Sequence, residues 1–150
     1  MTIHAYSGTE WIVPSNPTTY DAVDAFDSLT EINWSESTSA KIANGDVVYL
    51  YVTRPTQALT HRCLVVDSGI PFDRRVDDDR FWVDQDALQE RRTRSWLRLR
   101  LLHTFDAGER GRLSLQALMA NGLKSAPQGR MRVPATVSTL INMVSVGADG

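Results

Sequence analysis

The sequence has very few of the residues from which cross-linked, metal-bound and membrane-bound sites are built. Cys63 is the single cysteine, so no disulfide can form within the chain, and this favours a cytoplasmic setting. The three histidines, His4, His61 and His103, are too scattered to resemble a zinc motif. No apolar run is long enough to cross a membrane, and no signal peptide is visible. We therefore expect a cytoplasmic protein without a membrane partner.

Lysine is almost absent, because Lys41 and Lys124 are the only lysines among 16 basic residues and the others are arginines. The net charge is −2, so no global positive field attracts duplex nucleic acid. Codon bias explains most of the imbalance, although arginine also grips phosphates better than lysine does. With 150 residues and 42% hydrophobic content, the chain suits one domain. We predict a single monomeric domain over residues 1–150, with its core at about 10–144 and frayed termini.

Motifs for catalysis are missing as well. The chain has neither a glycine-rich phosphate loop nor a nucleophile elbow. His61 and Cys63 share a strand face, but no third group can be named to orient them, and a lone cysteine in an apolar strand usually serves packing. Asp77, Asp78 and Asp79 lack the alternating oxygen ligands of a calcium loop, so we interpret them as a solvated loop tip. We predict no catalytic residue, no metal and no cofactor.

The strongest structural signal is an apolar run that begins after a turn at residues 44–46. Residues 47–52 are apolar on both faces, which is typical of a central strand covered on both sides. Pairing should end near Pro55, because proline cannot donate to a ladder. A second strand is predicted at 58–66, with alternate residues from Leu59 to Val65 on one face. Residues 95–102 alternate leucine with arginine and predict a half-buried strand.

Helices are predicted at the two ends of this strand-rich middle. The first follows the double-proline turn at 14–17, is capped by Thr18 or Thr19, and has a stripe of Tyr20, Val23, Phe26 and Leu29. Two more follow Ser114 and Pro134, short strands are expected at 10–13 and 32–35, residues 106–108 turn the chain, and acid-rich residues 67–80 form a surface loop. The expected fold is α+β, a small mixed β-barrel flanked by two or three α-helices.

Aromatic and short polar residues near strand ends suggest a binding site. Trp34 lies at the edge of a polar loop, Ser15 and Asn16 follow the first strand, and Tyr49 and Tyr51 share one face of the central strand. An aromatic slot with hydroxyl and amide partners suits a flat, polar-edged ligand such as a nucleobase. Aromatic residues of small barrels mostly fill the core. The residues alone leave both interpretations open, the slot and the core.

A set of stretches with consistent order and spacing extends over about residues 10–144. They are Trp11-Ile12-Val13-Pro14-Ser15-Asn16-Pro17, Tyr20-Asp21, Phe26, Ile32-Asn33-Trp34, Gly45-Asp46-Val47-Val48-Tyr49-Leu50-Tyr51-Val52, Gly122-Leu123-Lys124-Ser125, Gln128-Gly129 and Arg132-Val133-Pro134. Together they resemble the EVE domain family of the PUA-like superfamily. The resemblance implies a small mixed β-barrel with flanking helices.

The same resemblance implies recognition of a modified base. Members of the superfamily, including YTH and SRA domains, take a flipped-out or single-stranded modified base into an aromatic pocket, and EVE domains are associated with 5-methylcytosine and 5-hydroxymethylcytosine. Trp34 and Ser35 resemble the Trp-Ser pair of the YTH cage, and the turn at Ser15 and Asn16 resembles the edge of the pocket. We assign three further aromatic residues to the same pocket: Trp11, Tyr49 and Tyr51.

We also predict a phosphate-binding group on the basic loop before the last helix, formed by Arg130, Arg132 and Lys124. The predicted function is a non-catalytic DNA- or RNA-binding module that reads a modified base and acts beside a separate nuclease or other effector protein. The alternative is a PUA-like barrel that binds a small metabolite or a protein partner without nucleic acid. The acidic loop at 67–80 matches no part of the resemblance.

Overall fold

The computed structural model describes residues 8–39 and 41–149. These residues contain six strands and five α-helices. In chain order they are β1 (Glu10–Ser15), α1 (Ala22–Ser28), β2 (Glu31–Ser35), β3 (Val47–Val52), β4 (Ala58–Ile70), α2 (Gln85–Glu90), β5 (Trp96–Thr104), α3 (Ala107–Arg112), α4 (Leu115–Ala120), β6 (Met131–Arg132) and α5 (Ala135–Asp149). Two 3₁₀ turns, Phe72–Arg74 and Asp79–Phe81, lie between β4 and α2. The predicted α+β class is confirmed.

The strands form one sheet in the order β2-β5-β4-β3-β1-β6. Strands β1 and β3 pair in parallel, and the other pairs are antiparallel. Within the described residues no ladder joins β2 to β6, so the expected barrel is corrected to an open sheet. The physical reason is the length of β6, which has only two residues, and both of these pair with β1. A closed barrel requires a continuous ladder at its seam. The number of helices also exceeds the two or three expected.

The central strand β3 separates two layers of core. All six of its residues are buried, as the apolar run predicted. Val48 and Leu50 face a cluster that includes Phe26 of α1, whereas Tyr49 and Tyr51 face a second cluster under α5. Successive side chains of a strand point to opposite faces, so a strand covered on both sides buries every residue.

Strand β4 differs most from its prediction. It continues past Val66 to Ile70, because its pairing with β5 slips in register and so resumes beyond the polar residues. A second irregularity, in its pairing with β3, lies beside Leu59. A bulge of this kind changes the face to which the following side chains point. Leu59 therefore packs in the cluster under α5 while Cys63 and Val65 pack in the other, which corrects the prediction that they share a face.

The helices and β1 differ from their predictions in smaller ways. Asp21, rather than Thr18 or Thr19, caps α1, and Val23 is 43% exposed although it was expected in the apolar stripe. The predicted turn at 106–108 is instead the start of α3, where Asp106 and Glu109 form a capping box. Strand β1 also runs through Pro14 and ends at Ser15.

Two predictions concern the ends of the chain. The predicted loose N-terminal lead-in falls largely on residues 1–7, outside the described residues. Helix α5 extends to Asp149, beyond the position at which the last helix was expected to fray. No helix among the described residues combines the length and the apolar character that crossing a membrane requires.

Candidate ligand-binding cavity

A cavity of about 510 Å³ opens where β1 and β2 end, between the two sides of the open sheet. Its wall comes from four segments: Val13, Pro14, Ser15, Asn16, Thr19 and Tyr20; Asn33, Trp34, Ser35, Ser37 and Ser39; Trp82, Arg91 and Arg94; and Gly129 and Arg130. Arg130 immediately precedes β6, and its guanidinium donates to the carbonyl of Ser35 in β2. The Arg130 side chain therefore links the two edges of the open sheet, near β6 and at β2, where the described residues form no backbone ladder. The cavity lies around this link.

Three aromatic rings contribute to the apolar part of the wall, together with Val13 and Pro14. Trp34 is half-buried, and Tyr20 meets it edge to face, with ring centroids 5.9 Å apart and an interplanar angle of 87°. Tyr20 in turn packs on Trp82 at 5.3 Å. Tyr20 and Trp82 are buried, whereas Trp34 is only half-buried, and all three side chains line the cavity. An aromatic surface of this kind can stack on a planar ligand.

The rings are supported by Asp78, whose carboxylate lies behind the wall. It accepts hydrogen bonds from the Tyr20 hydroxyl at 2.8 Å, from the Asn33 backbone N–H at 3.1 Å and from the Asn33 side-chain amide at 2.7 Å. Arg75 lies 3.6 Å from the same carboxylate. Asp78 is 0% exposed, so the interpretation of residues 77–79 as a solvated loop tip is corrected for this residue. These contacts require the chain to fold back onto β2.

Burial changes the acidity of Asp78 and Tyr20. It raises the pKa of Asp78, and the hydrogen bonds from Asn33 and Tyr20 oppose the change because they stabilise the carboxylate. Burial, with the Asp78 charge as a second cause, also raises the pKa of Tyr20 well above its ordinary value. Tyr20 is therefore a neutral hydrogen-bond donor at physiological pH. Its hydroxyl is committed to Asp78, so the ring rather than the hydroxyl is what it offers to the cavity.

Buried polar atoms on the cavity wall lack partners. Among the described residues, the Ser15 hydroxyl, the Trp82 indole N–H and one terminal nitrogen of Arg130 make no hydrogen bond. Ser15 is only 2% exposed. Unsatisfied buried polar groups are uncommon and costly, so each one requires an explanation. Of the eight such atoms among the described residues, these three belong to side chains that line the cavity, where a polar ligand would complete their bonding.

The cavity brings together five of the residues predicted from sequence: Ser15, Asn16, Trp34, Ser35 and Arg130. Their roles in binding stay predictions. Sequence reasoning missed Tyr20, Asn33, Trp82, Arg91 and Arg94, which line the same cavity. Tyr20 and Asn33 fall within the stretches that carried the resemblance, so a signal existed for them. Nothing local marks Arg91 or Arg94.

Three aromatic residues assigned to the pocket lie elsewhere, and their assignment is corrected. The Trp11 indole N–H donates to Asp46 at 2.9 Å, so the ring is fixed inside the core. Tyr49 and Tyr51 lie in the cluster under α5, on the opposite face of the sheet. Burial raises the pKa of Tyr49 to about 12, and its hydroxyl donates to Glu10 at 3.1 Å. Alternation placed both tyrosines on one face correctly but could not identify which face carries the cavity.

The three residues predicted to bind phosphate do not line one common site. Arg132 is exposed on β6, with its guanidinium 5.7 Å from the centre of the Trp11 ring. Lys124 lines a second hollow of about 420 Å³ formed by the loop before α5. Arg130 and Gly129 line both hollows, so the two spaces adjoin at Arg130. The phosphate-binding role of Arg132 and Lys124 stays a prediction.

The other candidates for chemistry are buried away from the cavity. Burial raises the pKa of the Cys63 thiol and lowers the pKa of His61 to about 4. His61 Nδ1 lies 2.7 Å from the Thr60 hydroxyl, and its ring packs on Phe26. The described residues contain no group of three or more histidine, cysteine or acidic side chains arranged to hold a metal ion.

Comparison with protein-family models finds no match, and comparison with curated proteins finds none either. Solved structures do share the fold. ASCH from Zymomonas mobilis is 11% identical with a TM-score of 0.58, over 90% of this chain and 94% of that one. Protein PSPTO5229 from Pseudomonas syringae is 18% identical with a TM-score of 0.58, over 90% and 98%. A hypothetical protein from Leishmania major is 14% identical with a TM-score of 0.62, over 96% and 99%.

ASCH domains belong to the PUA-like superfamily, so these similarities support a PUA-like fold for this chain. The α+β fold that the resemblance implied is thereby supported, except that the sheet is open rather than closed. The EVE family is a narrower assignment that these structures do not show.

Proposed function

We propose that this protein is a non-catalytic nucleic-acid-binding module that takes a modified base into the cavity beside Trp34. One observation carries the proposal: a half-buried tryptophan, braced by Tyr20, lies on the same wall as the unpaired Ser15 hydroxyl and Trp82 N–H. A nucleobase has a flat aromatic face and a polar edge, and this wall complements both. The PUA-like fold and the EVE resemblance support the same class of ligand.

The groups around the cavity suggest how such a base is held. The base stacks on Trp34, while Ser15 and the Asn16 amide bond its polar edge. The Trp82 N–H is a donor only, so it suits a carbonyl oxygen of the base. The cavity volume of about 510 Å³ lies within the range of roughly 300–1,000 Å³ typical of small-ligand sites. It therefore has space for a base with an added substituent.

Energetics favour a single strand as the source of the base. Stacking contributes about 1–3 kcal/mol per base. Extruding a base from a duplex costs a few kcal/mol, which cancels most of that gain, whereas an unpaired base costs less. The overall charge of −2 adds no general attraction to nucleic acid. The module therefore binds weakly by itself and acts as a sensor beside a separate nuclease or other effector.

Fluorescence anisotropy with labelled single-stranded oligonucleotides tests the proposal. Three probes differ only in one base: cytosine, 5-methylcytosine or 5-hydroxymethylcytosine. We expect a modified probe to bind more tightly, Trp34→Ala to abolish that binding, and Trp34→Phe to retain part of it because a smaller ring still stacks. Thermal melting establishes that each variant is folded. Equal affinity for the three probes, or unchanged binding in a folded Trp34→Ala variant, contradicts the proposal.

A salt titration distinguishes the alternative ligand class. Phosphate contacts make the affinity fall steeply with salt, whereas a neutral metabolite bound in the same cavity gives a nearly flat dependence. A flat dependence would favour the metabolite.

A further inference from the structure

Three arginines meet on the cavity wall without an acidic partner among the lining residues. Arg91 and Arg94 come from the end of α2 and the turn after it, and Arg130 comes from the loop before β6. No aspartate or glutamate lies among the described residues that line the cavity. The protein as a whole is slightly acidic, so this local excess of positive charge is not a consequence of general composition.

The three guanidiniums differ in how firmly they are held. Arg130 donates to the Ser35 carbonyl, and its other terminal nitrogen is buried without a partner among the described residues. Arg91 donates to the Ala87 carbonyl at 2.6 Å and lies over the Trp82 ring at 5.6 Å. Arg94 is exposed at the mouth of the cavity. Two arginines are therefore fixed in place, and the third is free to move towards a ligand.

The charges around Arg130 favour the binding of an anion. Burial lowers the pKa of Arg130, and the positive charges of Arg94 and Arg91 add to this effect. Glu36 acts in the opposite direction, but one of its carboxylate oxygens accepts a hydrogen bond from the Gly69 backbone at 2.8 Å. The repulsion within the cluster is thus only partly offset by the protein. A bound anion would relieve it and would also satisfy the unpaired nitrogen of Arg130.

We infer that Arg91, Arg94 and Arg130 form a phosphate subsite, so that the cavity takes a nucleotide rather than a base alone. The inference rests on the proposed function, because the same cavity holds the base against Trp34. Arginine suits this role, since its planar fork matches phosphate oxygens with two parallel hydrogen bonds. The phosphate belongs either to a strand or to a free nucleotide. The earlier assignment of Arg132 and Lys124 to phosphate is not needed for this subsite.

Isothermal titration calorimetry with matched ligands tests the inference. The ligands are 5-methyl-2′-deoxycytidine, its 3′- and 5′-monophosphates, and a short single-stranded oligonucleotide that contains the same base. The decisive variant is Arg94→Glu, because Arg94 is exposed and its replacement should leave folding intact. Arg92→Glu is the matched control, since Arg92 is an exposed neighbour with the same charge that does not line the cavity.

We expect a monophosphate to bind about tenfold or more tightly than the nucleoside, as hydrogen bonds to charged groups allow. Arg94→Glu should weaken monophosphate binding by a larger factor than nucleoside binding, so that the ratio of the two affinities falls towards one, whereas Arg92→Glu should change neither affinity. Tighter binding of the oligonucleotide than of either monophosphate identifies a strand as the source. The reverse order identifies a free nucleotide.

Each failure has its own pattern. If nucleoside and monophosphates bind equally and Trp34→Ala abolishes both, the phosphate subsite is overturned and the base site stands. If the monophosphates bind, lose affinity in Arg94→Glu and keep it in Trp34→Ala, the subsite stands and the base site is overturned. Equal losses in Arg94→Glu and Arg92→Glu indicate a general charge effect and overturn the subsite. An absence of binding by all four ligands overturns both.

Discussion

The buried carboxylate of Asp78 offers a sharp test of how the cavity wall is held. Replacing it by alanine removes the acceptor for the Tyr20 hydroxyl and the Asn33 backbone N–H, and it removes the carboxylate 3.6 Å from Arg75. The Asn33 side-chain amide keeps one partner, the Val76 carbonyl at 2.8 Å. Two donors are therefore left without the group that satisfied them, whereas the Arg75 guanidinium keeps the Phe72 carbonyl and its ion pair with Asp79.

The expected cost follows from these losses. An unsatisfied buried donor costs about 1–3 kcal/mol, and two such donors remain after the substitution. Arg75 stays paired with Asp79 at 3.0 Å, so its buried charge is not left without a partner. Burying the carboxylate has its own desolvation cost, so these losses do not add in full. We expect Asp78→Ala to lower the free energy of unfolding by about 2–4 kcal/mol, mainly from the two unsatisfied donors.

Urea denaturation followed by circular dichroism measures this change. Asp77→Ala is the matched control, because Asp77 is the exposed neighbour and its loss should stay within about 0.5 kcal/mol. Oligonucleotide affinity should fall in Asp78→Ala but not in Asp77→Ala, since only Asp78 positions Tyr20 behind Trp34. Equal stabilities for the two variants would refute the account of the wall.

Three further predictions concern Trp11, His61 and the pair formed by Arg130 and Arg132. Trp11→Phe should lower the free energy of unfolding by about 1–3 kcal/mol, because the Asp46 carboxylate loses its indole donor, and it should leave base affinity unchanged; urea denaturation and anisotropy measure the two quantities. Burial lowers the pKa of His61 to about 4, so as the pH falls the unfolded state binds a proton before the folded state does. The contribution of neutral His61 to the free energy of unfolding is therefore complete above about pH 6.5 and is lost as the pH falls towards 4. His61→Gln should flatten the pH dependence of stability in that window, and an unchanged profile would contradict burial of the neutral ring. Arg132→Ala should weaken oligonucleotide binding less than Arg130→Ala, since Arg130 alone of the two lines the cavity, and the reverse order in anisotropy would place the phosphates along β6 instead.

Some parts of this fold could be predicted because local chemistry determines them. The six-residue apolar run predicted β3, since a short run rich in β-branched and aromatic residues favours a strand covered on both faces. Trp34 and Ser15 were predicted to share a pocket because each stands where an apolar strand gives way to polar residues, and both line the cavity. Ser114 was identified as a helix cap from its position alone, and its hydroxyl accepts the Ala117 N–H.

Other parts depend on contacts between distant segments, which no local pattern records. Asp78 is one of three consecutive aspartates, and its hydrogen bonds with Asn33 and Tyr20, 45 and 58 positions earlier, distinguish it from exposed Asp77. The alternation of inward and outward side chains along β4 could not be predicted, because it changes where bulges interrupt the pairing of this strand. Arg91 and Arg94 reach the cavity because α2 packs beside Trp82, a consequence of tertiary structure.

The central claim, that a modified base lies against Trp34, is tested most directly by a crystal structure of the protein with a 5-methylcytosine-containing single-stranded oligonucleotide. We predict that the extruded base lies parallel to the Trp34 ring at about 3.5–4.0 Å, with its polar edge towards Ser15 and Trp82. Density for the base on another surface, with the cavity empty, would contradict the account.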